Sequence, residues 1–410
     1  MLLDIGPLRR DRAFALLFFS QLVSGLGTMV SYVAVPWQLY ELTHSNAQVG
    51  LLGLVQLIPV LGCGLLGGAV ADRADRKRLL MVCEALMGLC LAGLLANTLA
   101  AEPSVGLIYA LVAVLQGASG FHRPALEALT QKLAQREDYA AVATLSSVRG
   151  TLTMVAGPAL AGLMLAGWGA QGAYLFDLLS FVLALAFIAF IPRARIALPE
   201  PDGERPHLLA DLAAGLRFAW ARPELMGTYI VDIVAMAFAF PVALFPAMAT
   251  ASGRPDAVGW LLSAMAVGAL LIGLFSAWTG RVRRHGRAVV LAAGVWALGI
   301  VALGFAPGLL AALLCLALAG AADMVSGVFR STIWNETIPN EMRGRLAGIE
   351  MISYLTGPLI GNTRAGFMAD AWDVRIAIWS GGLVCLLAVI VTGLCLPRFW
   401  AYRSRASESG

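Results

Sequence analysis

Runs of about 20 apolar residues recur along almost the whole chain, and that recurrence decides what it can fold into. A helix that crosses a bilayer must satisfy its backbone amides within its own segment, and spanning the hydrocarbon takes about 20 mostly apolar residues. Twelve stretches qualify, at roughly 13–40, 47–71, 79–101, 104–123, 139–166, 170–191, 224–250, 257–279, 287–306, 309–329, 345–368 and 374–396. The breaks between them carry turn chemistry or charge, as at Thr43-His44-Ser45-Asn46, Glu102-Pro103-Ser104 and Ala306-Pro307-Gly308. At 59% hydrophobic and 13% charged, the 410 residues exclude soluble globular, disordered and fibrous classes. The expected fold class is all-α integral membrane, with twelve transmembrane helices in two six-helix bundles. The first apolar run is too long for a cleavable signal peptide and flows into a second span, so none is expected. The six cysteines lie inside apolar stretches with no CxxC pair, and so read as small core residues.

Charge sets the expected orientation. Of the 29 lysines and arginines, 25 fall on the side of the N-terminus. Only Arg254 and Arg375 fall opposite, and Arg149 and Arg364 lie within spans. The positive-inside rule then places both termini in the cytoplasm, in a multi-pass protein of the plasma (inner) membrane. The net charge of +4 reflects this topology, and no nucleic-acid patch is seen.

The longest polar stretch, 192–223, divides the spans six and six. The domain expectation is an N-terminal bundle over 1–191, a cytoplasmic linker over 192–223 and a C-terminal bundle over 224–410. The linker is expected to hold an amphipathic helix from His207 to Arg222, lying on the membrane interface or leading into the seventh span. The halves show weak internal repetition. Val49-Gly50 matches Val258-Gly259 at an offset of 209 residues, Arg123 matches Arg330 at 207, and Gly157-Pro158 matches Gly357-Pro358 at 200. A parallel repeat with a site near the midplane between the halves is a transporter architecture.

Ionisable groups inside spans are costly and are functional candidates by default. They are Glu84, Arg149, Asp177, Asp232, Asp323, Glu350 and Arg364. Asp232 and Arg149 lie deepest. Desolvation disfavours the charged form of a carboxylate, which suits a group that takes up and gives up protons. Asp232 is the first candidate for proton coupling and Glu84 the second, followed by Asp177 and Asp323. Arg149 and Arg364 are candidates for pairing with an anionic substrate group or an acid. Each has a structural alternative: Glu350 as a partner at the cytoplasmic gate, Glu84 snorkelling to the surface. Gln21, Tyr32, Gln56 and Phe240 are candidate pore-facing residues. The four histidines fall at span ends or in loops, so no metal site is expected. There is no GxxxxGK[ST], hence no ATP chemistry, and no HExxH or GxSxG, so neither enzyme activity nor a cofactor is expected.

Between the second and third spans runs Gly68-Ala69-Val70-Ala71-Asp72-Arg73-Ala74-Asp75-Arg76-Lys77-Arg78. This ordered glycine, acid and basic cluster resembles the signature loop of the major facilitator superfamily, with Asp75 where the family usually has glycine. The resemblance implies a cytoplasmic gate at Gly68, Asp72, Arg73, Arg76 and Lys77; Glu350 is expected there too, from its depth about five residues into the eleventh span. In the fifth span, Gly157, Pro158 and Gly162 look like the glycine-proline helix-bend motif of antiporters in that superfamily; close packing alone is the alternative. Val33-Ala34-Val35-Pro36, Gln48-Val49-Gly50, Gly215-Leu216-Arg217-Phe218 and Pro339-Asn340-Glu341-Met342-Arg343-Gly344-Arg345 are similar to the branch of enterobactin exporters and macrolide efflux pumps. That resemblance covers nearly the whole chain. It implies a monomeric, proton-coupled secondary transporter that exports a small organic molecule by alternating access, with protons and membrane lipids as its other partners. A siderophore is one candidate substrate and a macrolide-type drug another. A non-transporting receptor is a third reading, disfavoured by the absence of a large soluble domain.

Overall fold

The computed structural model describes residues 4–71, 74–134, 136–192 and 208–404. Within them, each of the twelve apolar segments falls on helix. In chain order the helices are α1 (Gly6–Arg10), α2 (Arg12–Thr43), α3 (Asn46–Ala71), α4 (Arg76–Leu99), α5 (Val105–Leu133), α6 (Tyr139–Ala189), α7 (Leu208–Trp220), α8 (Pro223–Ala239), α9 (Phe245–Ala251), α10 (Ala257–Leu274), α11 (His285–Gly304), α12 (Leu309–Thr337), α13 (Asn340–Ala371), α14 (Val374–Cys395) and α15 (Pro397–Trp400). Ten of the helical stretches among the described residues are long and apolar enough to cross a membrane. One of them, α6, is 51 residues long and turns at Gly169, whose φ of 66° and ψ of −168° lie outside the helical region. The fifth and sixth segments are its two arms. The seventh segment is also broken: α8 ends before Phe240-Pro241, and the chain resumes through a 3-10 turn at Val242–Leu244 into α9.

Local chemistry marks the starts and stops. The Asp11 carboxylate accepts hydrogen bonds from the amides of Ala13 (2.9 Å) and Phe14 (3.2 Å) and caps α2. Asp75 caps α4 in the same way, through Lys77 (3.0 Å) and Arg78 (3.1 Å). Such caps satisfy amides that a helix start leaves open. The acid at position 75, where a glycine was the expectation, therefore serves as a helix cap. His44 ends α2 in the left-handed region, at φ 49°.

The packing inverts that of a soluble protein. Large apolar side chains stand exposed on the helix exteriors, with Ile58 at 77%, Leu310 at 72% and Leu394 at 76%. Ser20, Glu84, Asp177, Thr228 and Asp232 are buried. A lipid-facing surface with polar groups turned inward explains both.

The described chain divides into two units. Unit 1 comprises Met1–His44, Val55–Glu204 and Arg254–Trp260; unit 2 comprises Ser45–Leu54, Arg205–Gly253 and Leu261–Gly410. In unit 1 Phe14, Leu17, Leu80, Leu129, Leu145 and Ile188 form an apolar core near the ends of α2, α4, α5 and α6. In unit 2, Phe399 is fully buried where Gly227 and Gly286 leave room for it. The helix α7 lies inside the expected 207–222 stretch and packs on α13 and α8. Residues 193–207, nearly half of the predicted linker, lie outside the described residues.

The sequence repeat has a structural counterpart. In unit 1 a side chain at Gly259 would run into Pro158 and Gly162 of α6; in unit 2 one at Gly366 would run into Asn46 and Gly50 of α3. Gly50 and Gly259 are the positions matched at the offset of 209 residues. Likewise Gly157 faces Met29 of α2, and Gly357 faces Met236 of α8. Each unit thus makes the same two close helix approaches, which only glycine permits at this spacing.

Candidate functional site

The charged residues predicted inside spans gather into one group in each unit. In unit 1 the centre is Glu84, on the third turn of α4 and fully buried. Its Oε1 accepts a hydrogen bond from Nε2 of Gln21 on α2 at 3.1 Å and lies 2.9 Å from Nε2 of His122 on α5. Its Oε2 is buried without a hydrogen-bond partner among the described residues. The expectation that Glu84 might snorkel to the surface is corrected: its environment is closed on three helices. Asp177, on the second arm of α6, is also buried. Its Oδ1 accepts from the Ser180 hydroxyl at 3.1 Å, and Gly27 on α2 makes room for both side chains.

In unit 2 the centre is Asp232 on α8. Its Oδ1 pairs with Nη1 of Arg330 on α12, and its Oδ2 accepts from the Ser353 hydroxyl of α13 at 3.3 Å. Nη2 of Arg330 also lies 3.7 Å from Asp323, two turns earlier on the same face of α12. Glu350 on α13 is close enough to attract the Arg330 charge. Just along α8, Tyr229 stacks on Trp334 with ring centroids 5.6 Å apart, and the Trp334 indole donates to the Thr228 hydroxyl at 2.8 Å. A buried ion pair is costly to break because the remaining partner is left uncompensated. Asp232 is therefore held in place on both oxygens.

The other candidates are more dispersed. Arg149 is half-buried on α6, with no ion pair among the described residues. Arg364 on α13 donates to the Met368 sulfur at 3.4 Å and to the Ala377 carbonyl at 3.3 Å, and its buried Nε has no partner among the described residues. Lys77 closes the end of α6, donating to the carbonyls of Ala189 (3.0 Å) and Ile191 (2.6 Å). The Arg76 Nε is buried and unpartnered among the described residues. Gly68 lies in α3; Asp72 and Arg73 lie outside the described residues. Gly157, Pro158 and Gly162 occupy the close helix approaches described above. In the connection before α10, Asp256 accepts from Arg254 (2.6 Å) and from the Trp260 indole (2.9 Å). The Arg254 guanidinium holds the Asp256 carboxyl below the usual carboxylate range.

Two members of these groups escaped the sequence reading. His122 was placed at a span end, and Arg330 was read as the end of the tenth span. In the structure α5 continues to Leu133 and α12 to Thr337, so both residues lie well inside their helices. The usable signal was depth. Glu84 near the start of α4 and His122 toward the end of the antiparallel α5 are level, as are Asp232 in α8 and Arg330 in α12.

Comparisons with known proteins agree with this architecture. The model of the family described as transmembrane secretion effector matches residues 4–409. The enterobactin exporter EntS of Shigella boydii serotype 18 is 31% identical over 406 residues, covering 98% of this chain and 96% of the relative. EntS of Escherichia coli O81 matches equally well. Among solved structures, a POT family transporter in complex with 5-aminolevulinic acid superposes with a TM-score of 0.74 at 11% identity, over 95% of this chain and 97% of that one. A bacterial homologue of the iron transporter ferroportin, in an inward-facing state, gives 0.71 at 16% identity, over 95% and 99%. The fold, the family model and the curated relatives converge: the chain belongs to the transmembrane secretion effector family of the major facilitator superfamily, multi-pass inner-membrane transporters of small molecules and not enzymes.

Proposed function

We propose that this protein is a proton-coupled exporter of a catecholate-type siderophore working by alternating access, as a monomer with both termini in the cytoplasm. The observation that carries the substrate class is the 31% identity to the enterobactin exporter EntS across 98% of the chain. Agreement from end to end means that the similarity is not confined to a gate loop. Proton coupling is supported by chemistry: acids lie within membrane-spanning helices, among them Glu84, Asp177, Asp232 and Asp323, and a chain without a nucleotide-binding loop needs another energy source. The 25-to-2 split of basic residues supports the orientation. Lipid contacts follow from the apolar exterior.

The test is flux in sealed proteoliposomes carrying an imposed pH gradient, with enterobactin, erythromycin and a lysophospholipid offered separately. Accumulation of enterobactin that collapses with the gradient is the expected result. Accumulation of erythromycin alone would move the chain to the drug-efflux reading. Gradient-independent movement of enterobactin would remove the proton coupling.

A further inference from the structure

We propose that the proton is carried in unit 1 by a Glu84–His122 dyad, and that the deeper carboxylate, Asp232, is a fixed ion-pair partner. This assignment rests on the proton-coupled export reading above and names its site.

The argument begins with what each carboxylate would have to give up to bind a proton. Both oxygens of Asp232 are engaged, one by the Arg330 guanidinium and one by the Ser353 hydroxyl. Protonation there would leave Arg330 buried without its closest counter-charge, and a buried charge that loses its partner is strongly destabilising. Glu84 differs in each respect. It makes no ion pair with lysine or arginine among the described residues. Oε1 accepts from Gln21 and lies 2.9 Å from His122 Nε2, while Oε2 is buried without a hydrogen-bond partner among the described residues. Oε1 lies 2.9 Å from Nε2 of His122, so a proton can pass along that contact without breaking an ion pair to lysine or arginine. An unpaired carboxylate in this setting is costly, and the histidine 2.9 Å away is the one neighbour able to share a proton with it.

The surroundings leave few other groups to carry that charge. On α2 the facing group is Gln21, which does not titrate. On α5 the groups are His122 and, one position on, Arg123, which is exposed and reaches Glu127 at 3.4 Å. On α6 it is Asp177, near enough for its charge to repel that of Glu84. On α4 itself Cys83 is adjacent, and Lys77 is held by the carbonyls that end α6. The His122 ring, 13% exposed against 0% for Glu84, is the more open member and so the entry point. One proton enters through the imidazole, resides between Nε2 and the Glu84 carboxyl, and leaves when the carrier has changed the side to which the dyad opens.

The experiment uses the full chain in proteoliposomes with enterobactin as the probe, comparing accumulation driven by a pH gradient with enterobactin exchange at equal pH on both sides. Glu84→Gln keeps the shape and cannot release a proton. It should lower driven accumulation at least tenfold while leaving exchange within about twofold of wild type, and pyranine trapped inside should report no proton movement with substrate. His122→Gln tests the same split independently and keeps the assignment falsifiable should Glu84→Gln fail to fold. Driven accumulation at the wild-type level in either folded variant overturns the assignment. Equal loss of driven accumulation and exchange also overturns it, because the dyad would then be part of the general scaffold. A wild-type carrier that accumulates no enterobactin under a gradient defeats the export reading itself, a failure visible before any variant is compared.

Discussion

The two units use the same packing and different electrostatics. Each brings a pair of helices together at glycines, Gly162 with Gly259 in one and Gly50 with Gly366 in the other. Each buries an acid on the helical face turned away from lipid. In unit 2 that acid has a permanent cation: Asp232 pairs with Arg330, with Asp323 and Glu350 nearby. In unit 1 Glu84 contacts an imidazole and an amide, with no lysine or arginine ion pair among the described residues. An arginine remains charged across the physiological range, whereas a histidine changes its charge within it. The two units thus share their close glycine contacts and differ in the groups beside their buried acids.

The largest effect should come from breaking the locked pair. Asp232→Asn removes the closest counter-charge of the buried Arg330 and leaves Asp323 at 3.7 Å, a loss of up to about 3–5 kcal/mol, and the purified protein should unfold at clearly lower temperature. Adding Arg330→Gln should recover much of that loss, because both charges are then gone. Equal damage in the single and double variants would mean that the pair has no special weight.

Next in size is packing, where the units should behave alike. Gly259→Ala and Gly366→Ala each force a methyl group against a neighbouring backbone, with a cost of about 1–3 kcal/mol. Gly62→Ala, where an added carbon meets nothing within 4 Å, is the matched control and should be neutral. Thermal unfolding of the three variants would show a real asymmetry if one glycine tolerated the change and the other did not.

A smaller change in stability is expected at Glu84. Glu84→Gln keeps shape and hydrogen bonding, so folding should shift by no more than about 1 kcal/mol, even as driven transport fails. Loss of stability on the scale of Asp232→Asn would place Glu84 in the structural class as well. The smallest effect lies outside the membrane spans, at Asp256. Its carboxyl is held low by Arg254, so its contribution to folding is present above the unfolded-state value, about pH 4, and is lost as the pH falls further. Asp256→Asn should flatten only that acid limb of the stability curve.

The fold was largely legible because bilayer thickness imposes a length on every span, and length and hydropathy are sequence properties. The close glycine contacts were legible in part: Val49-Gly50 and Val258-Gly259 were visible as repeats, although their partners, Gly366 and Gly162, follow only from tertiary packing. The break of α6 at Gly169 was also readable as the gap between the fifth and sixth segments. What the sequence could not supply was pairing. Asp232 stood out by depth, yet the residue that neutralises it lies 98 positions away. His122 was dismissed for its place near a span end, because hydropathy falls before the helix does: α5 runs ten further residues beyond the apolar window. The gate residues Asp72 and Arg73 rest on the resemblance to the superfamily loop alone.

Infrared difference spectroscopy across a pH titration, recorded without substrate on the wild type, Glu84→Gln and Asp232→Asn, tests the division of labour directly. A protonated carboxyl absorbs apart from a carboxylate, so each titrating acid gives its own band. The account predicts a carboxyl band in the wild type that is missing in Glu84→Gln and retained in Asp232→Asn. A band that survives Glu84→Gln unchanged and disappears in Asp232→Asn would contradict it, making the paired aspartate the titrating group.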